Sequence, residues 1–396
     1  MHKRMTRILS ALSLLAVLPA VAFASTSRVA GLNVPGDYIK DYTGIFTYVS
    51  GVGSVGNMVY VEPNAGLGQG GQAMGAVLGN LFEGRLGTWA INLREFHPTL
   101  GQPTAFGSVT TTADAGTFGD PNVNGEAFDI MWGHKMGSGS LGLRLNRSFV
   151  SEEDAGGTEE GTGNTGRNIW GLGAGFGFAM NSNTDVEFGG EFQNRSFQAS
   201  PPSLATDDGG STYLVAGRAM MKSGGNLMWM PVARIYSFDL SSLDGAGTAT
   251  NEKITGWEVG GAGNWSIGSD DLLVIGVQLV GNKHETTVGT GPTSTDRETF
   301  YPNAFVGLET HVNNWLTLRF GAQNAALYSL KSETGAASTT DKSHVFDFNM
   351  GAGVKLGSLM LDATLDQDFW NNPVSSVWNS SGGPAPFPHV SATYSF

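Results

Sequence analysis

Cysteine is absent from the 396 residues, and charge is scarce at 14%. Without thiols the chain can build neither a disulfide framework nor a thiolate metal site. Its 22 lysines and arginines are outnumbered by 35 aspartates and glutamates, giving a formal net charge of -13. That sign excludes a nucleic-acid partner, whose phosphates need a basic surface. Long hydrophobic runs are missing too. Ile8 to Val21 is interrupted by Ser10, Ser13 and Pro19 and falls short of the ~20 apolar residues that a membrane helix needs. Glycine, in contrast, occurs 58 times, about twice its usual share. Hydrophobics at 40% and aromatics at 10% are too plentiful for a disordered chain.

His2, Lys3, Arg4 and Arg7 precede the apolar stretch, and Ala22-Phe23-Ala24 follows it with a small-x-small ending. This is the pattern of a secretory signal peptide cleaved after Ala24. Residues 1–24 are therefore expected to leave, and the rest of the chain to cross the inner membrane completely.

From Gly84 onward a unit of about ten residues repeats, apolar side chains alternating with small or polar ones before a turn. Phe300, Ala304, Val306 and Leu308 share one face, opposite Asn303, Glu309 and His311. Leu273, Ile275, Val277 and Leu279 oppose Gln278, Asn282 and His284, and Trp170, Leu172, Ala174 and Phe176 oppose a row of glycines from Gly171 to Gly177. Short turns such as Gly137 to Gly139 and Gly357 to Ser358 alternate with longer polar loops such as His97 to Gly125, Glu153 to Arg167, Thr286 to Thr295 and Lys331 to Lys342. A soluble sandwich or propeller would also alternate, but has no reason to sort its connections by length. Short turns at one end and long loops at the other are the pattern of a transmembrane barrel. The fold class read from the sequence is all-β, a transmembrane antiparallel β-barrel of about fourteen strands over residues 84–396. Its place is the cell outer membrane, with membrane lipid and lipopolysaccharide as partners.

Residues 25–83 stand outside that count. They hold the apolar Met58 to Val61 and a glycine-rich run from Ala65 to Gly84 that carries Met74, Val77, Leu78, Leu81 and Phe82. So many apolar residues suit a plug folded inside the barrel. Gly66, Gly68 and Gly71 match GxGxxG, but no βαβ unit surrounds them, so no nucleotide cofactor is implied. Ser27-Arg28-Val29-Ala30-Gly31-Leu32, followed by Asp41-Tyr42-Thr43-Gly44-Ile45-Phe46, is similar to the hatch opening of the long-chain fatty-acid transporter (FadL-type) family. Thr47-Tyr48-Val49-Ser50-Gly51 stands where that family usually has Asn-Pro-Ala. The resemblance implies an N-terminal hatch across the lumen, with Asp41, Ile45 and Phe46, joined by Met74 and Phe82, at the gate. Val390, Ala392, Tyr394 and Phe396 alternate and end on Phe. They resemble the C-terminal signal by which the barrel-assembly machinery recognises its clients, with Tyr394 and Phe396 as that signal.

Opposition to apolar neighbours places Arg94, Arg144, Arg218, Arg319, Glu187, Glu191, Glu258, Glu309, Asp347, Asp362 and Asp366 in the lumen. Such charges either select solutes or pair internally and hold the hatch. Acidic loop residues Glu152, Glu153, Asp154, Glu159 and Glu160 are either solvated or chelate divalent cations. The seven histidines show no paired metal spacing, and nothing places a serine beside His284 or His311, so neither a metal site nor catalysis is expected. The expected function is a non-enzymatic channel or transporter for passive uptake of small molecules, hydrophobic ones included. The alternatives are a sealed structural or display barrel and a general porin for polar solutes.

Overall fold

The computed structural model describes residues 25–63, 73–79, 81, 85–94, 126–152, 165–199, 210–239, 242–243, 249–268, 270–365 and 387–396. The expected export signal, the Gly66 to Gly71 run, Phe82, Asp366 and the acidic residues from Glu153 to Glu160 lie outside the described residues.

The period of two expected from the sequence is the period of the fold. Along Gly210–Lys222 buried and exposed residues alternate almost without a break, as a strand with one covered face requires. Among the described residues seventeen strands form in chain order. They are β1 (Met58–Glu62), β2 (Ala73–Leu78), β3 (Thr88–Arg94), β4 (Glu126–Met136), β5 (Gly139–Glu152), β6 (Thr165–Asn181), β7 (Thr184–Ala199), β8 (Gly210–Lys222) and β9 (Leu227–Asp239). After them come β10 (Ser242–Leu243), β11 (Ala249–Ile267), β12 (Asp271–Val288), β13 (Ser294–His311), β14 (Leu316–Thr334), β15 (Ala337–Leu356), β16 (Leu359–Leu365) and β17 (Val390–Ser395). β10 is a two-residue extension paired with the start of β11. The others form a ring of sixteen staves, each antiparallel to the next, and β17 returns to β1 with Met58 opposite Ser395.

Sixteen replaces the fourteen expected. The two extra staves are β1 and β2, which the sequence reading left inside the plug. They are only five and six residues long and sit in glycine-rich surroundings, so neither resembles the ten-residue unit that repeats in the sequence from Gly84 onward. Met74 moves with them. It is 53% exposed, opposite the exposed Val61 and Leu93 on the outer face, and is therefore a wall residue rather than part of a gate.

Two expected loops are also strand. β12 and β13 run up to a turn at Gly289, and β14 and β15 up to one at Gly335, both glycines at positive φ where a side chain would be strained. Their Thr- and Ser-rich ends pleat readily despite being polar. Phe300 does not share the face of Val306. One extra residue beside Tyr301 and Pro302 breaks the register against β12, and beyond it Phe300 turns inward onto Val280, Ala325 and Tyr328.

The outer face is apolar around the ring. Exposed side chains include Val59, Ile91, Leu172, Val215, Ile275 and Leu361, on staves spread over the whole circumference. Trp89, Trp229 and Trp315 lie near the short-turn end, while Trp170 and Trp257 mark the other border. On β11, Trp265 and Trp257 are eight residues apart, roughly 26 Å of strand and about 20 Å once tilted. That is within a few Å of the apolar band of about 25 Å that such barrels carry.

Inside the ring lies the chain from Ser25 to Ser54. Helix α1 (Thr26–Leu32) is capped by Ser25, whose hydroxyl accepts the Arg28 N–H, and ends at Asn33 in the left-handed region. Three 3-10 turns follow, at Gly36–Tyr38, Tyr42–Phe46 and Val49–Ser54. The segment crosses the lumen, touching β13 to β17 through α1 and β3 to β7 through the last turn. Inward-facing glycines let its backbone come this close. A Cβ on Gly321 would fall on the carbonyl oxygen of Leu32, and one on Gly189 on that of Thr47. Gly321→Leu is therefore expected to leave the barrel folded but undock the plug. Overpacking at about 1–3 kcal/mol makes cleavage within residues 26–54 by added protease roughly tenfold faster, with heat-modifiable gel mobility retained. Unchanged cleavage would mean that the plug does not rest on this glycine.

Candidate functional site: the plugged lumen

Four buried arginine clusters tie the plug to the wall. In the first, Arg28 of α1 donates two hydrogen bonds to Glu309 of β13, Nε to Oε2 at 2.7 Å and Nη2 to Oε1 at 2.8 Å. Arg319 of β14 donates to the same carboxylate at 2.6 Å and to Asp362 of β16 at 2.6 Å. The Ser25 hydroxyl completes the chain by donating to Asp362 at 3.0 Å. Asp41 lies 3.9 Å from Arg28 and caps the second 3-10 turn through the Thr43 N–H. Burial pushes its carboxyl above the usual carboxylate range, against the pull of Arg28. Beside this cluster Asn33 donates to Asp347 at 2.9 Å and accepts from Gln323 at 3.0 Å.

In the second cluster Arg144 of β5 bridges Asp129 at 2.7 Å and Glu191 at 2.6 Å, and donates to the Phe46 carbonyl at 3.0 Å. Arg218 of β8 centres the third, 2.8 Å from Glu187 and donating to the carbonyls of Asp37 and Ile39 at 3.2 Å. Its guanidinium also lies over the Tyr48 ring, 4.2 Å from the centroid. In the fourth, Arg234 of β9 stands between Asp37 at 3.3 Å and Glu258 at 3.7 Å.

Eight of the expected lumen charges thus meet in these clusters, and Asp347 joins through Asn33. Arg94 lies in β3, but its side chain is outside the described residues, as is Asp366 altogether. Sequence reasoning missed Arg28, Asp37, Asp129 and Arg234. Asp129 and Arg234 alternate inward with Ala127 and Met131, and with Val232 and Tyr236, so their strands show no clean polar face. Arg28 and Asp37 belong to the plug, where no strand periodicity speaks for them. Ile45 and Phe46 sit at the plug–wall contact. Ile45 packs with Tyr42, Val52, Met58 and Met131, while Phe46 faces Arg144.

A cavity of about 200 Å³ opens beside the plug, near the short-turn end of the barrel. Its apolar lining comes from Tyr42, Ile45, Tyr48, Val55 and Met58, and Lys40, Asp41, Glu187 and Arg218 add charge at its wall. Buried Tyr48 has its phenol pushed well above the ordinary value by desolvation, so it stays neutral.

The geometry makes Arg28 and Glu309 a coupled pair. Removing one partner strands a buried charge, at a cost of about 3–5 kcal/mol. In an Arg28→Ala and Glu309→Ala cycle, read by thermal unfolding of the barrel in detergent, the double variant is expected to lose clearly less than the sum of the singles. Strict additivity would sink the pairing.

No protein family and no curated protein matches the sequence. Among solved structures the chain is similar to a FadL homologue of Pseudomonas aeruginosa, at 12% identity and a TM-score of 0.43, over 93% of this chain and 98% of that one. It is also similar to CdiB from Escherichia coli, at 10% identity and a TM-score of 0.42, over 86% of this chain and 62% of that one. A third similarity is to the ferripyoverdine receptor of the outer membrane of Pseudomonas aeruginosa, at 11% identity and a TM-score of 0.34, over 61% and 40%. The chain spans less than two thirds of the length of the last two. An antiparallel ring without an open edge, apolar outside and charged within, satisfies every demand of hydrocarbon on a spanning sheet, and the chain is an outer-membrane β-barrel.

Proposed function

We propose that the protein is a passive, plug-gated conduit for small molecules with an apolar body and a polar end. The observation that carries this reading is a chain segment, residues 25–54, docked in the lumen of a sixteen-stave ring by ion pairs at Arg28 and Asp37 and by hydrogen bonds from Arg144 and Arg218 to its carbonyls. A barrel of this width is not filled by its own side chains. Blocking it with a detachable piece makes sense where passage is to be controlled. Asp41, Ile45 and Phe46 form the gate, and the arginine clusters are its latch. Uptake follows the solute gradient, and no catalytic step is involved.

The kind of cargo is read from the cavity beside the plug. Tyr42, Ile45 and Met58 suit an apolar body, and the mixed charges of Lys40, Asp41, Glu187 and Arg218 suit a polar end. A general porin for polar solutes would have no use for this apolar lining, and a sealed display barrel no use for a separate plug. Residues 1–24 act as the export signal in this reading. At the other terminus Tyr394 and Phe396 stack on the outer face, 47% and 62% exposed, which suits contact with lipid and recognition by the assembly machinery.

Two measurements test the reading. Liposomes carrying the refolded protein should admit small solutes several times faster after deletion of residues 25–54, and equal impermeability of both forms would favour the sealed barrel. 1-Anilinonaphthalene-8-sulfonate, an apolar dye with one anionic end, should bind the intact protein with one-to-one stoichiometry. Ile45→Glu should weaken that binding roughly tenfold, since it places a charge in the apolar lining. Undiminished binding would move the cargo site elsewhere.

A further inference from the structure

On the outer face of β12 to β14, at the border away from the short turns, three cations stand side by side. Lys283 pairs directly with Arg297, and Arg297 directly with Lys331. Their neighbours Asn282, Glu298 and Tyr328 point into the lumen, bonding Tyr236 and each other, so by alternation all three cations point outward. Directly opposed side chains have Cβ atoms only about 4.5–5.5 Å apart, and like charges so placed repel. Lys342 on β15, opposite Ser329, and Lys253 on β11, opposite Glu285, extend the row at either end. Five cations on five consecutive staves are a local concentration at odds with a chain of formal net charge -13.

The carboxylates at this level lie to one side. Glu285 and Glu333 flank Thr295, one step toward the loops, and Asp239 faces Lys253. Glu285 meets Lys283 at 2.6 Å, and Glu333 meets Lys331 at 2.6 Å and Arg297 at 3.5 Å. Arg297 and Lys331 stay 50% and 44% exposed, so these pairs are wet and weak. One step toward the membrane lie Trp257, Thr299 and Ser329, and past them the apolar Leu279, Val277 and Ile275. The membrane side of the row thus offers ammonium, guanidinium and hydroxyl donors and no carboxylate. It stands about 7 Å of strand above the Trp257 girdle, at the level of lipid headgroups.

We propose that this face binds the phosphate of an outer-leaflet glycolipid, with Lys283, Arg297 and Lys331 clamping the phosphate from above and the sugar lying over Thr299 and Ser329. Arg297 supplies the planar fork that matches two phosphate oxygens, and the lysines add point charge on either side. The acyl chains then lie along Leu279 and Val277. The phosphate relieves the mutual repulsion of the row, which is what makes the site selective for a dianion over a neutral headgroup.

The test is a titration of the full-length mature chain in detergent with diphosphoryl lipid A, read by native mass spectrometry. A one-to-one adduct is expected for the wild type. Lys283→Gln, Arg297→Gln and Lys331→Gln combined should weaken it on the order of a hundredfold. Lys222→Gln with Lys355→Gln, at the opposite rim, should leave it unchanged. Heat-modifiable mobility reports folding, and if the triple variant does not fold, Arg297→Gln alone should weaken the adduct about fivefold. Equal binding of phosphate-free lipid A would overturn the proposal, as would full binding by the folded variant. Competition by millimolar inorganic phosphate as effective as lipid A itself would show a bare anion site and overturn the lipid assignment too.

Discussion

Hydrocarbon offers no hydrogen-bond partner, so every backbone N–H and C=O that crosses it must be paired within the sheet. Ring closure meets that demand, and the rest of the structure adjusts to it. The join is made by short staves. β1 and β2 supply eleven residues between them, enough to pair β17 with β3 across the gap left by the entering plug. Once the ring is closed, each side chain has only two environments, and alternation assigns them. The lipid side is apolar, while the lumen takes the charges, the glycines and the apolar residues that meet the plug, such as Met131 and Phe305, which is why so few charges suffice for so long a chain.

Closure at sixteen staves creates a second problem, because the interior is too wide for side chains alone to pack. The plug fills part of it, and two features of the wall make that possible. Glycines at Gly142, Gly175, Gly189, Gly307, Gly321 and Gly351 remove side chains where plug backbone passes. Arginines at four points then bind carboxylates and main-chain carbonyls of wall and plug together. Buried ion pairs contribute little net stability over apolar packing, but they are costly to mismatch. A plug held this way has one position and one register, and its apolar side chains, among them Leu32, Ile39, Ile45 and Val52, pack against the wall beside the arginines.

Much of this was legible beforehand. The outward faces of β6 and β12 were readable from Leu172 and Phe176 and from Ile275 and Val277, because strand alternation is a local signal. Arg144, Arg218 and Arg319 were readable as inward because each opposes greasy neighbours. Arg234 was not, since Val232 and Tyr236 beside it are as apolar as the outward Ile235. Alternation puts Phe300 on the outer face, but one extra residue near Pro302 exchanges the faces, and a bulge leaves no mark in an alternation count. The sequence does not show Met74 as a wall residue, because its six-residue strand is too short to show a period.

The sequence alone was enough for the membrane setting, the strand repeat and the inside and outside of most staves, since these follow from neighbours two residues apart. Only the tertiary structure decided the number of staves and who meets whom. Arg28 and Glu309 are 281 residues apart, and Ser25 and Asp362 are 337. No local pattern can announce such pairs, because they exist only after the last strand has found the first. The same holds for the outer cation row, whose members are scattered along the chain and become neighbours through the register of β12, β13 and β14.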